Sequence, residues 1–133
     1  MADKRMFSSK IVQSDAFLEM NLKSQALYFH LCLVADDEGF VGKPRTITRM
    51  IGAELSNLQE LIKNKFILLF DTGVIVIKHW RINNVIRKDR RKPTTYLKEK
   101  SCLNLTDNDS YSLTNGDNLI DLEQVFPNIW EKH

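Results

Sequence analysis

The stretch from Pro44 to Trp80 constrains this chain most, because two helix signals, a junction and a hairpin signal follow one another there. Pro44 suits a first helical position, where its missing N–H has no partner to lose. Ile47, Met50 and Ile51 read as the inward face of that helix and Gly52 as its stop. Ser56-Asn57-Leu58-Gln59 reads as a capping box, with the serine hydroxyl accepting from the Gln59 N–H while the glutamine reaches back. Leu58, Leu61, Ile62 and Lys65 then share one helical face, and Ser56, Asn57, Gln59, Glu60, Lys63 and Asn64 take the others. Phe66 to Phe70 and Val74 to Trp80 are β-rich runs joined by Asp71-Thr72-Gly73, which is a hairpin signature. Helix, turn, helix, hairpin is the order of a winged helix. The expected class is therefore α+β, mainly α: a winged helix-turn-helix with a C-terminal two-stranded wing and additional basic and tail segments.

Upstream, Ser14-Asp15 can cap a short helix through Met20, and Asn21 or Ser24 can start a longer one over Leu22 to Ala35. Leu22, Ala26, Leu27, Leu31 and Val34 lie on one side of it, and Tyr28, Phe29, Cys32 and Leu33 widen the apolar surface. This predicts the most buried helix of the fold. His30 within it reads as a structural histidine, because no second His or Cys stands at metal-ligand spacing. Asp36-Asp37-Glu38-Gly39 lacks the alternating oxygen spacing of a calcium loop and reads as a solvated turn. Phe40-Val41 after it is a short strand expected to pair with the hairpin. Lys4 to Gln13 yields no firm element, with Phe7, Ile11 and Val12 as core contacts to look for.

Beyond the hairpin, Trp80 is expected in the core and Pro93 ends whatever helix precedes it. Thr95 to Leu103 can form a short helix, and Asn104 to Asn118, rich in Asn, Asp, Ser and Thr, reads as a linker. Leu119 to Trp130 regains apolar character, interrupted by Pro127. The predicted organisation is a DNA-binding domain over 1–103 that includes a basic extension at 78–100, a polar linker over 104–118, and an acidic and apolar tail over 119–133.

No apolar run approaches the roughly 20 residues that span a bilayer. The opening residues lack the apolar core of a signal peptide. With two cysteines, and Cys32 inside an apolar pattern, a disulfide framework is not expected. These features predict a cytoplasmic chain with no membrane partner. Phosphate-loop, nucleophile-elbow and metal-spaced Cys/His signatures are missing, so neither catalysis, a cofactor nor a metal is expected.

The net charge of +2 hides a sharp asymmetry. Met1 to Ile77 balances nine Lys/Arg against nine Asp/Glu, Lys78 to Lys100 carries nine against two, and Ser101 to His133 one against six. Clustered cations neutralise phosphates and release counterions, binding nucleic acid without reading its sequence. The phosphate-contact candidates are Lys78, Arg81, Arg87, Lys88, Arg90, Arg91 and Lys92, with Arg45, Thr48 and Arg49 on the first helix of the motif. The second helix is the candidate for the major groove, offering Ser56, Asn57, Gln59, Lys63 and Asn64, although Glu60 stands in their midst. The wing tip carries no cation and is expected to contribute shape. Double-stranded DNA is the expected partner, with single-stranded DNA a further candidate. Two other functions fit the same pattern. One is an adaptor or oligomerisation module that docks Leu122, Phe126, Ile129 and Trp130 onto replication or defence machinery; the other is a winged-helix transcriptional regulator. The acidic tail could also fold back over the basic segment and mask it.

Several ordered motifs carry a family resemblance. Phe7-Ser8-Ser9-Lys10-Ile11-Val12-Gln13-Ser14-Asp15-Ala16-Phe17-Leu18 and Gln25-Ala26-Leu27-Tyr28-Phe29-His30-Leu31 look like the start of phage replisome-organiser N-terminal domains. So do Ala35-Asp36-Asp37-Glu38-Gly39-Phe40-Val41, Ile51-Gly52-Ala53, Gly73-Val74-Ile75-Val76-Ile77-Lys78-His79-Trp80, Lys88-Asp89-Arg90 and Lys92-Pro93-Thr94. Those domains are similar to the winged-helix N-terminal domain of DnaD-type primosome proteins. The resemblance spans roughly residues 3 to 115. It implies origin-DNA binding at the start of phage or prophage replication, homo-oligomerisation, and, in the larger members, recruitment of the host helicase loader and helicase through a further C-terminal domain or tail.

Overall fold

The computed structural model describes residues 4–86 and 89–114, and the fold is α+β. Two four-residue helices, α1 (Ser9–Val12) and α2 (Asp15–Leu18), precede the long α3 (Leu22–Val34). Strand β1 (Phe40–Val41), helices α4 (Pro44–Met50) and α5 (Leu55–Lys63), and strands β2 (Ile67–Leu69) and β3 (Ile75–Ile77) follow. The chain continues through α6 (Trp80–Asn83), α7 (Leu97–Lys100), β4 (Leu103–Leu105) and β5 (Tyr111–Leu113).

Local chemistry explains most of these ends. Ser14 Oγ accepts from the Phe17 N–H at 3.3 Å to start α2, and Asn21 Oδ1 accepts from the Lys23 N–H at 2.9 Å to start α3. Pro44 opens α4, and Gly52, at φ +78°, follows its last turn in the left-handed conformation that glycine tolerates. The start of α5 differs from expectation. Its cap is Glu54, two residues before Ser56, and the reciprocal partner is Asn57, whose Oδ1 accepts from the Glu54 N–H at 2.9 Å. Lys65 does not continue the apolar face of α5; it sits beyond the helix at φ +62°, exposed.

Strands β2 and β3 pair antiparallel around the Asp71–Gly73 turn, and β1 pairs antiparallel with the other edge of β3, giving the order β1-β3-β2. Successive strand residues point to opposite faces. Ile67, Leu69, Ile75 and Ile77 face the helices and join Phe17, Leu27, Tyr28, Leu31, Leu58 and Leu61 in the main core. Leu68, Val74 and Val76 face away with Phe40 and Phe70, and that second face is covered as well, by Tyr96, Leu103, Tyr111 and Leu113. A sheet buried on both sides explains the unbroken apolar runs in the sequence.

Part of the cover, Tyr111 and Leu113, comes from a segment expected to be a linker, and Leu103 stands on a strand where a helix end was expected. Strands β4 and β5 form their own antiparallel hairpin, and the Tyr111 N–H donates to Lys78 O at 2.9 Å, joining it to the end of β3. The region from 103 to 114 therefore belongs to the folded unit. The predicted boundary at 103/104 is replaced by continuous packing, while 115–133 lies outside the described residues.

Expectations about α3 and α4 also change. Its buried face is Ser24, Leu27, Tyr28, Leu31 and Cys32; Leu22, Ala26, His30, Leu33 and Val34 are exposed. On α4, Met50 is 76% exposed, so Ile47 and Ile51 alone of the predicted trio pack against the core.

Candidate nucleic-acid interface

Helix α5 presents Ser56, Gln59 and Lys63 to solvent, within an arc of about 60° when projected down its axis at 3.6 residues per turn. Glu60, the one acid in this helix, turns away from them. Its Oε1 accepts from the Asn21 N–H at 3.1 Å and from the Ser24 hydroxyl at 2.5 Å, so the carboxylate caps the start of α3. The Ser24 hydroxyl in turn accepts from Asn57 Nδ2 at 3.1 Å, in a buried contact. Asn57 is consequently an interior residue and not a base-reading one, because both ends of its amide are engaged within the fold. Asn64 remains exposed, with Nδ2 donating to Glu60 O at 2.8 Å.

On α4, Thr48 is likewise withdrawn from the predicted contacts. It is fully buried and its hydroxyl donates to Pro44 O at 2.8 Å, one turn back. Arg49 is exposed and Arg45 half-buried.

The cations after β3 divide into two groups. Lys78 is half-buried and donates through Nζ to Tyr111 O at 2.8 Å, and Lys100 Nζ lies 2.7 Å from Glu38 Oε1. The first ties β5 to the end of β3, and the second ties the end of α7 to the acidic turn. Arg81, Arg90 and Lys92 are exposed and Arg91 is half-buried. Arg87 and Lys88, and the tail residues Leu122, Phe126, Ile129 and Trp130, lie outside the described residues.

What organises this side of the molecule is the acidic turn, which is buried and not solvated. Asp36 Oδ1 accepts from the N–H groups of Glu38 (2.9 Å) and Phe40 (3.0 Å), closing the turn on itself. Asp37 takes the Arg5 guanidinium on Oδ1 at 3.2 Å and the Lys92 N–H on Oδ2 at 3.0 Å. Glu38 Oε2 accepts from the Thr94 N–H at 2.6 Å, and its other oxygen holds Lys100. Trp80 Nε1 donates to Asp37 O at 2.9 Å and the Tyr111 hydroxyl to Glu38 O at 2.9 Å. Gly39 makes the close approach possible: at φ +93°, it lies where a Cβ would stand 2.6 Å from Trp80 Cγ. Arg5, which drew no attention in the sequence, lies with its guanidinium 4.9 Å from the Trp80 ring centroid and donates to Ala35 O at 2.7 Å.

This network sets the local electrostatics. Burial raises the Asp37 carboxyl, but the Lys92 N–H and Arg5 outweigh it and hold it below the ordinary carboxylate value. Glu38 behaves alike, with Lys100 and the Thr94 N–H overcoming burial. Burial, then the neighbouring Lys78, pushes the His79 imidazole down to about 4, so this ring is neutral near pH 7. Burial pushes the Cys32 thiol up to about 12, which leaves it without thiolate character at pH 7.

Beside the acidic turn, a cleft of about 130 Å³ opens between the end of α6 and the basic extension. Arg81, Asn84, Arg91, Asp109 and Tyr111 line it and Trp80 closes one side. Asn84 is 6% exposed; its Oδ1 accepts from the Met6 N–H at 2.9 Å, and its Nδ2 is buried without a hydrogen-bond partner among the described residues.

No family model matches the chain, and no curated protein and no solved structure matches it. Among the described residues, no helix is long and apolar enough to cross a membrane.

Proposed function

We propose that this chain is a DNA-binding protein whose α3 to β3 unit is a winged helix and that it acts at the initiation of phage or prophage DNA replication. The observation that carries the reading is the outward face of α5. With Glu60 folded in to cap α3, that face offers Ser56, Gln59 and Lys63 without an opposing carboxylate of its own helix. A helix of this kind fits the major groove, about 12 Å wide, and its short polar side chains reach base edges while lysine reaches phosphate or guanine. Arg81, Arg90 and Lys92 add exposed positive charge. The wing is not a free finger in this reading. Thr72 at its tip donates to Glu99 Oε2 at 2.6 Å, so the turn is held by α7 and acts as a rigid backing. The replication role rests on the sequence motifs that resemble phage replisome organisers.

The test is charge reversal on the helix face. Lys63→Glu should weaken binding of a labelled 30-base-pair duplex by about tenfold or more, since a repelled phosphate replaces a neutralised one. Lys10→Glu on α1 makes the same change of net charge at another exposed site and should have a clearly smaller effect. Equal effects from the two would refute a specific role for α5.

One observation favours self-association as part of the same function. Leu22, Ala26 and Leu33 are exposed on α3, and Phe29 between them is half-buried, with spacings of four, three and four. That is the seam spacing of paired helices, and Leu22 is 79% exposed. A second copy of the same face is its natural complement, because an apolar seam is self-complementary about a two-fold axis.

A further inference from the structure

The geometry points to the cleft between α6 and the basic extension as a built site for one backbone phosphate of nucleic acid, held by Arg81, Arg91 and the Asn84 side-chain amide. The inference rests on the nucleic-acid reading and gives it a specific contact that α5 does not supply.

Three features of the cleft converge on an anion. The first is the pairing of Arg81 and Arg91, ten positions apart in the chain and brought into one small lining. Arginine presents several donors in a planar fork that suits phosphate oxygens. The second is Asn84. Its orientation is set by the Met6 N–H on Oδ1, which leaves Nδ2 as a buried donor with no acceptor among the described residues. Buried donors are satisfied in the great majority of folded proteins, so an unsatisfied one that lines a cleft asks for an acceptor from outside. The third is the state of the nearest acid. Asp37 also lines the cleft, but both of its oxygens are taken, one by Arg5 and one by the Lys92 N–H. Its charge is thereby offset within the fold. The carboxylate left to oppose an anion is Asp109, exposed on the β4–β5 turn.

The lining therefore makes two predictions of opposite sign, which a purely structural role would not produce. Removing donors weakens phosphate binding, and removing the Asp109 charge strengthens it. Asp109 sits at φ +63°, a conformation that asparagine adopts readily, so Asp109→Asn changes the charge while keeping the turn.

The experiment is fluorescence polarisation of a labelled 30-base-pair duplex across a salt series, with wild type, Asn84→Asp, Arg81→Gln/Arg91→Gln and Asp109→Asn. Lys98→Gln, which removes one exposed cation outside the cleft, is the control. Asn84→Asp keeps the acceptor for Met6 and loses the donor; it should weaken binding about tenfold or more, as expected for a hydrogen bond to a charged group. The double arginine variant should lower the slope of log K against log salt by about 0.9, one phosphate contact. Asp109→Asn should bind more tightly than wild type. If wild type binds DNA but Asp109→Asn does not tighten it and the arginine pair matches Lys98→Gln per charge removed, the cleft is no phosphate site and the α5 reading stands. If wild type binds no DNA, inorganic phosphate decides. A shift of the Asn84 side-chain amide resonance in wild type, lost in the arginine double variant, supports the site, and its absence overturns it.

Discussion

Glu60→Ala separates the two roles open to this side chain. On a solvated DNA-facing surface, the substitution would leave stability within about 0.5 kcal/mol, as is usual for surface changes. In the structure, the carboxylate accepts from the Asn21 N–H and from the fully buried Ser24 hydroxyl. Losing it leaves the Ser24 donor unsatisfied inside, about 1–3 kcal/mol, while water can replace the acceptor at the exposed Asn21 N–H. Losing a negative charge at the start of α3 adds about 0.3–1 kcal/mol. The sum is about 1–4 kcal/mol, or roughly a 5–20 °C fall in Tm for a domain of this size. Urea unfolding followed by circular dichroism at pH 7 measures it, and Ser24→Ala supplies the cycle. With Ser24 already alanine, Glu60→Ala should cost clearly less, because no buried donor is stranded. A Glu60→Ala loss under 0.5 kcal/mol, or strict additivity with Ser24→Ala, refutes the capping role and returns Glu60 to the DNA face as an electrostatic liability.

Stability should fall in two pH windows. His79 has a folded value of about 4 against an ordinary 6.5, so the unfolded chain binds the extra proton; stability drops from pH 6.5 towards 4 by about 2 kcal/mol, and His79→Gln flattens that limb of a urea-midpoint profile. Asp37 and Glu38 are depressed below their ordinary values, so their contribution is present above the carboxylate range and is lost as pH falls through their folded values, a second drop that Asp37→Asn should blunt. Glu38→Ala should cost about 3 kcal/mol by stranding the buried Thr94 N–H and releasing Lys100, whereas Lys100→Ala, at a half-exposed partner, should cost under about 1 kcal/mol in the same unfolding assay. Leu22→Lys with Leu33→Lys should shift sedimentation at high protein concentration to the monomer without lowering Tm, and an unchanged oligomer distribution would remove the α3 seam as an interface.

The sequence made legible those elements whose signals are local. Pro44 and Gly52 bracket α4, Ser14 and Asn21 cap α2 and α3, and the runs on either side of Asp71–Gly73 pair as β2 and β3. What it hid depends on distant partners. The three acids after α3 look like any polar turn until Arg5, Lys92, Thr94 and Lys100 arrive from 32 to 62 positions away. Helical periodicity placed Asn57 among the outward positions, but Ser24 on the neighbouring helix claims its amide. The same periodicity placed Leu22 and Val34 inside, because α3 is apolar nearly all round and the pattern alone does not say which side meets the core. The β4–β5 hairpin was readable. Leu-Asn-Leu and Tyr-Ser-Leu alternate on either side of an Asn/Asp turn, a strand signal outweighed by the polar composition around it. The candidate interface was half legible: exposed Lys63, Arg81 and Arg90 follow from charge and spacing, whereas the Arg81–Asn84–Arg91 cleft needs the fold to bring it together.

The most direct measurement is the salt dependence of duplex binding by the wild-type chain. Lys63, Arg90 and Lys92 on one phosphate each, with Arg81 and Arg91 sharing a fourth, predict that log K falls linearly with log salt, with a slope of about −3.6. Binding that ignores salt between 50 and 200 mM, or no binding to duplex or single strands at the lower concentration, contradicts the account.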